Sequence, residues 1–284
     1  MGELTSREWA SIIWSIILLF YMITKKEIRS SLYNLIETFF DSKLRVLWIV
    51  YISYIIGITL LFSLLPLWKN AFIKDIILWA MFSGLIYLIN AISREADENY
   101  IKKIVKDNFK IFIVFEFIMS TFTFNIFVEL LIIPITTIIF AINFISERNL
   151  EYQNLYKLTN YLLATIGFIF IYKTIEVGIS EYQQLNILDA LISFLIPIIY
   201  LILTLPLIYN ISLYSKYELL FLRMSFKEGE DKRINNRRRF DVLKICNISV
   251  RKVIIFTYEF LPRMYKKITD EEFDNLLKEF KNKF

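Results

Sequence analysis

The chain has 284 residues, 56% of them hydrophobic and 17% aromatic, with a formal net charge of +5. Several apolar runs of about 20 residues mark a polytopic membrane protein rather than a soluble domain. Histidine is absent and Cys246 is the only cysteine. That removes Ser-His, Cys-His and HExxH chemistry, an intrachain disulfide and a cysteine-built zinc site. The six glycines form no GxGxxG or P-loop, so no enzymatic activity, cofactor or metal is expected.

Residues 9–24 form the first apolar run, closed by Lys25 and Lys26. Glu3 and Glu8 against Arg7 before it, and the lack of a small-residue cleavage site after it, predict a retained span rather than a signal peptide. Residues 25–45 carry Ile28, Leu32, Leu35, Ile36, Phe39 and Phe40 at helical spacing. This predicts an amphipathic helix that either packs on the bundle or lies on lipid. Residues 46–68 and 76–93 are the second and third spans. Ala80 and Gly84 stand four apart in the third, a small-residue face suited to close helix contact.

A polar loop, 94–110, leads into 111–146, an almost wholly apolar stretch holding Glu116, Asn125 and Glu129. One helix of that length would run about 54 Å, far beyond a hydrocarbon core of about 30 Å. The stretch must therefore fold back, with 123–125 as the expected turn, as two tight spans or a re-entrant loop. A second polar loop, 147–160, precedes a span at 161–179 that carries Lys173 and Glu176. The last span, 188–213, contains Pro197 and Pro206, which predict kinks.

Lys and Arg bias sets the orientation. With seven crossings, twelve basic residues fall in the inner loops (such as Lys25, Arg45, Lys103 and Lys157) and three, Arg7, Lys69 and Lys74, fall outside. This places the N-terminus outside and the C-terminus in the cytoplasm. The expected fold is therefore all-α, a polytopic helical membrane protein of about seven transmembrane or re-entrant helices. Residues 1–213 form its transmembrane part and 214–284 a basic, helical cytoplasmic domain. In that domain Lys232, Arg233, Arg237, Arg238 and Arg239 put five positive charges within eight residues. A helix is predicted over 250–261, and Thr269 with Glu272 forms a capping-box pair opening a final helix.

Ionisable groups at mid-span cost about 2.5–3.5 kcal/mol on insertion scales, so each has two readings. Glu116 either snorkels to the cytoplasmic surface or lines a water path. Asn125 and Glu129 are either solvated loop residues or line a pore mouth. Lys173 and Glu176, three apart, form either a structural ion pair or a gate. The 232–239 cluster serves positive-inside bias and anionic lipid, or binds a phosphate-rich ligand such as nucleic acid. These residues leave three function classes open: a channel clamped by a polyanion, a secondary transporter using Glu116 or Glu129, and a membrane scaffold docking a soluble partner.

Four stretches, KKEIRSSLYNLIETFF (25–40), DIILWAMFSGL (75–85), FEFIMSTFTFNIFVELLIIPI (115–135) and YELLFLRMSF (217–226), resemble a family of bacterial multi-spanning membrane effectors from antiphage defence operons, those of the Hailong system. The resemblance covers most of the transmembrane part and fades after Phe226. It implies a homo-oligomeric ion channel in the bacterial inner membrane, made beside a nucleotidyltransferase whose short DNA oligomers hold it shut. Loss of the DNA during infection then depolarises the membrane, an abortive-infection response. No family motif places a functional residue on this chain.

Overall fold

The computed structural model describes residues 4–93, 104, 106, 123–181, 187–266 and 268–284. Every regular element among them is helical. The helices are α1 (Ser6–Thr24), α2 (Lys26–Phe39), α3 (Ser42–Ser63), α4 (Phe72–Ile92), α5 (Ile126–Glu147), α6 (Gln153–Glu181), α7 (Ile187–Ser225), α8 (Lys232–Cys246), α9 (Val250–Ile255) and α10 (Asp270–Asn282). Among the described residues, six helices are long and apolar enough to cross a membrane: α1, α3, α4, α5, α6 and α7. The first arm of the expected 111–146 fold-back, with Glu116, lies outside the described residues. Its second arm begins where the turn was expected, with 123–125 non-helical and α5 starting at Ile126.

The chain packs as two compact units, Met1–Asp75 with Phe109–Pro197, and Ile76–Asn108 with Ile198–Phe284. This division does not follow the expected boundary at 213/214, because α4 and α7 each contribute residues to both units. One element also departs from expectation. The polar loop expected over 147–160 is mostly helix, since α6 starts at Gln153, after a 3-10 turn at Leu150–Tyr152. The prolines 197 and 206 lie inside one continuous helix. In α4, Ala80–Gly84 forms a π turn with Gly84 buried.

In the first unit many apolar side chains face outward. Ala10 is the only buried residue of α1, whereas Ile16, Leu19, Phe20 and Ile23 are exposed. An apolar surface of this extent is what a hydrocarbon solvent covers. The helices are joined by polar ties. Pro134 has no N–H to give the carbonyl of Leu130, and Trp14 Nε1 donates to that carbonyl at 2.8 Å, fastening α1 to α5. Asn143 of α5, buried, donates to Thr159 Oγ1 at 2.9 Å and Asn160 Oδ1 at 3.1 Å of α6. Each tie satisfies a group that lipid cannot.

The second unit contains a water-type core. Leu213, Leu220 and Met224 of α7 pack with Val242, Cys246, Val253, Phe256, Phe260, Phe273, Leu276, Leu277 and Phe280. The ring of Phe280 meets Phe256 and Phe260 edge-on, at 5.2 and 5.0 Å. α10 opens with the expected capping box, in which Thr269 and Glu272 exchange bonds to each other's backbone N–H. Its apolar face, Phe273, Leu276, Leu277 and Phe280, is buried.

Candidate polyanion site and the charged residues of the helices

The basic run forms the first two turns of α8. Asp231 caps the helix by accepting from the N–H of Arg233. From there the helical period decides which cations point where. Arg238, Val242 and Cys246 recur at every fourth position and form the buried face. Arg238 therefore enters the unit. Its Nη2 donates to the carbonyl of Ile268 at 2.9 Å and to Asp270 Oδ1 at 2.8 Å, and its guanidinium lies 5.3 Å over the ring of Phe273. Arg239 holds Glu228 through a two-pronged pair, Nε and Nη2 each at 2.6 Å, and sits above Phe221. The Glu228 carboxylate beside it raises the guanidinium pKa further, so the pair stays charged.

Lys232, Arg233 and Arg237 are exposed. Arg237 stands 3.8 Å from both Asp241 and Asp270, at the limit of an ion pair and on a wet surface. Such contacts are worth about 0–1 kcal/mol, so a ligand phosphate can take their place. The five cations thus divide into two that hold the unit together and three that face solvent.

Arg237 also belongs to a second arrangement. A cleft of about 490 Å³ opens beside it, with Lys244, Lys252 and Lys281 as further cations and Asp241 and Asp274 as carboxylates. Its apolar wall includes Phe280 and Phe284, and Lys252 Nζ lies 5.3 Å over the Phe284 ring. Four cations against two carboxylates leave the cleft electropositive, and its volume is in the range of small-ligand sites. The flanking Cys246 is no reagent here. Burial pushes its thiol up to about 12, so the nucleophilic thiolate is absent at neutral pH.

The polar end of α7 is tied to the same body. Tyr209 Oη donates to the carbonyl of Ile248 at 2.6 Å and Tyr217 Oη to that of Asn247 at 2.5 Å. Lys227 Nζ donates to the carbonyls of Pro262 and Met264, at 3.0 and 2.7 Å. Asn247 has a φ of 48°, the left-handed turn that lets α8 end and α9 begin. In the same unit, Lys216 is buried and donates to the carbonyl of Ser93 at the C-terminal end of α4, where a cation suits the helix dipole.

The intramembrane candidates have different positions. Glu129 is fully buried. Arg7 of α1 grips it with Nε at 3.2 and 3.1 Å from its two oxygens and Nη2 at 2.9 Å from Oε1. The N–H of Phe124 adds a bond at 3.1 Å, and Arg7 lies 5.3 Å over Phe170 of α6. Glu129 is thus a structural tie among three helices, rather than a solvated loop residue. Asn125 is the N-cap of α5, accepting from the N–H of Phe127. Lys173 and Glu176 meet at 2.6 Å, both about half-exposed, as an i,i+3 pair on one helix. Two further pairs join the first unit, Lys74 with Glu8 at 3.2 Å and Lys69 with Asp189 at 2.5 Å. Sequence reasoning missed the Arg7–Glu129 pair, since nothing local relates residues 122 positions apart.

No three or more metal-ligating side chains converge among the described residues. No family model, curated protein or solved structure matches the chain.

Proposed function

We propose that the chain is a multi-pass protein of the bacterial plasma membrane, N-terminus outside and C-terminus in the cytoplasm, which assembles into a homo-oligomeric ion channel. A cytoplasmic polyanion, a short DNA oligomer from a co-encoded nucleotidyltransferase, holds it shut. Loss of that ligand during phage infection opens it, depolarises the membrane and arrests the cell. The observation carrying the proposal is that the outward cations of α8 and the cleft stand on the same core that α7 enters with Leu213, Leu220 and Met224. A ligand bound there can bias α7 if it contacts closed and open forms differently.

The magnitudes favour this arrangement. Moving a channel from about 1% to about 99% closed takes about 5.5 kcal/mol of differential binding. Lys232, Arg233, Arg237, Lys244, Lys252 and Lys281 are six cations, and each is worth about 1 kcal/mol against a dense anion, as at an anionic lipid surface. Together they reach the required size when the six contacts are made in the closed form and lost in the open one. A secondary transporter needs a carboxylate that exchanges its partner during each cycle; of its two candidates, Glu129 is held by Arg7 and Glu116 lies outside the described residues.

The test is expression of the chain alone in bacteria, with membrane potential followed by a voltage-sensitive dye. Depolarisation with growth arrest is the expected result. Polarised, growing cells with the protein inserted in the membrane would contradict the channel and favour a transporter or a scaffold.

A further inference from the structure

We infer that α2 is a lipid-binding helix lying in the plane of the bilayer surface, with anionic headgroups as its partner. This rests on the proposed membrane crossing of α1 and α3. α2 is joined to α1 through Lys25 alone and to α3 through Phe40 and Asp41. Both its ends are therefore held at the ends of spans, and its length of about 21 Å, at 1.5 Å per residue, has to be laid along the surface.

None of its residues is buried. Yet Ile28, Leu32, Leu35, Ile36 and Phe39 recur at helical spacing on one side, continued by Phe40 just beyond. Ile28, Leu32 and Phe39 turn partly inward. There Phe39 stacks on Trp48 at 4.5 Å, and Trp48 Nε1 donates to the carbonyl of Phe39 at 2.7 Å. Leu35, Ile36 and Phe40 stay open, with 63%, 54% and 60% of their surface exposed. A packing helix would have closed this stripe; a helix resting on acyl chains keeps it for lipid.

The edge of the stripe shows which lipid. Lys26, Arg29 and Tyr33 succeed each other at i, i+3 and i+7 along one border, and all three are exposed. Asn34 and Glu37 occupy the opposite, polar side. A row of two cations and a tyrosine between an apolar face and a polar back is the arrangement that meets anionic headgroups at the interface. Lys25 at the joint adds a third cation, 5.6 Å over the ring of Tyr21.

The test places a nitroxide label, one at a time, at L35C, N34C and I52C in a C246A background of the full chain. Ile52 is an exposed residue near the middle of α3. The protein is reconstituted in nanodiscs of phosphatidylcholine with or without phosphatidylglycerol, and collision with oxygen and with a water-soluble nickel chelate is compared. We expect the oxygen-to-nickel ratio at Leu35 to be severalfold that at Asn34, and to rise further with phosphatidylglycerol. The rise should be lost in K26Q/R29Q. Equal ratios at Leu35 and Asn34, with Ile52 in lipid, would overturn the surface helix while leaving the spans intact. A nickel-accessible Ile52 would overturn the membrane crossing and the inference with it. Spin–spin broadening at Leu35 would show a second copy covering the stripe, and indifference to phosphatidylglycerol would remove the anionic partner; either overturns the assignment.

Discussion

Charge is handled in opposite ways by the two units. In the first, Arg7 with Glu129 and Lys74 with Glu8 are cross-helix ion pairs, and Lys69, in the connection before α4, pairs with Asp189 of α7, so each of these charges fastens separate elements. In the second, α8 sends Arg238 and Arg239 into internal pairs and leaves Lys232, Arg233 and Arg237 on the surface. On the proposed membrane crossing, the cause lies in the solvent that each set of charges meets. A charge beside hydrocarbon has to bring its counter-charge, because lipid offers none. The part of the second unit built by α8, α9, α10 and the polar end of α7 has its own apolar core and can leave cations outward for a ligand.

The largest expected effect breaks the comparison at its packing. Phe280→Ala should destabilise the second unit by about 3–5 kcal/mol, the cost of truncating a fully buried phenylalanine. Phe127→Ala, on a residue 73% exposed, should stay within about 0.5 kcal/mol. Thermal unfolding of the full chain in detergent, followed by near-ultraviolet circular dichroism, reads both. Equal losses would mean that the two units do not differ in how they use apolar residues.

The ion pair of the first unit comes next. Glu129→Ala leaves Arg7 without its carboxylate in a mostly buried place and should cost about 3 kcal/mol. The double variant Arg7→Ala/Glu129→Ala should recover part of that loss, with a coupling of about 0.5–3 kcal/mol. Additive losses in the cycle would show that the pair contributes no mutual energy.

The smallest effect is a pH dependence. The Thr269 N–H, the Tyr265 hydroxyl and the Thr269 hydroxyl all donate to Glu272 and hold its carboxyl below the ordinary 4.5. A lowered folded pKa gives stability that is present above the unfolded value and is lost as pH falls through the folded one. Wild type should therefore exceed Glu272→Gln in stability at pH 7, and the difference should vanish in acid, below the ordinary carboxylate range. A difference that persists unchanged at low pH would assign it to packing and not to the capping charge.

Much of the fold was legible in the sequence because it follows local rules. Apolar runs gave the spans, Thr269 and Glu272 gave the start of α10, and the i,i+3 spacing of Lys173 and Glu176 gave their pair. The 147–160 segment was misread because its polar residues mark exposure, which a helix tolerates as well as a loop does. Within 232–239, composition counted five cations alike. The four-residue recurrence of Arg238, Val242 and Cys246 was the available signal that one of them faces inward. Arg7 and Glu129 gave no signal at all, since their meeting depends on how α1 packs on α5.

The central claim concerns the outward cations. The direct measurement is conductance of the purified chain in a planar bilayer, with a short single-stranded DNA oligomer added on the side of the C-terminus. The comparison is a variant with Lys232→Gln, Arg233→Gln and Arg237→Gln, which keeps the internal ties of Arg238 and Arg239. The account predicts conductance without DNA, a block on its addition that weakens steeply with salt, and a weaker block in the variant. Conductance that ignores DNA, or an equal block in wild type and variant, would contradict it.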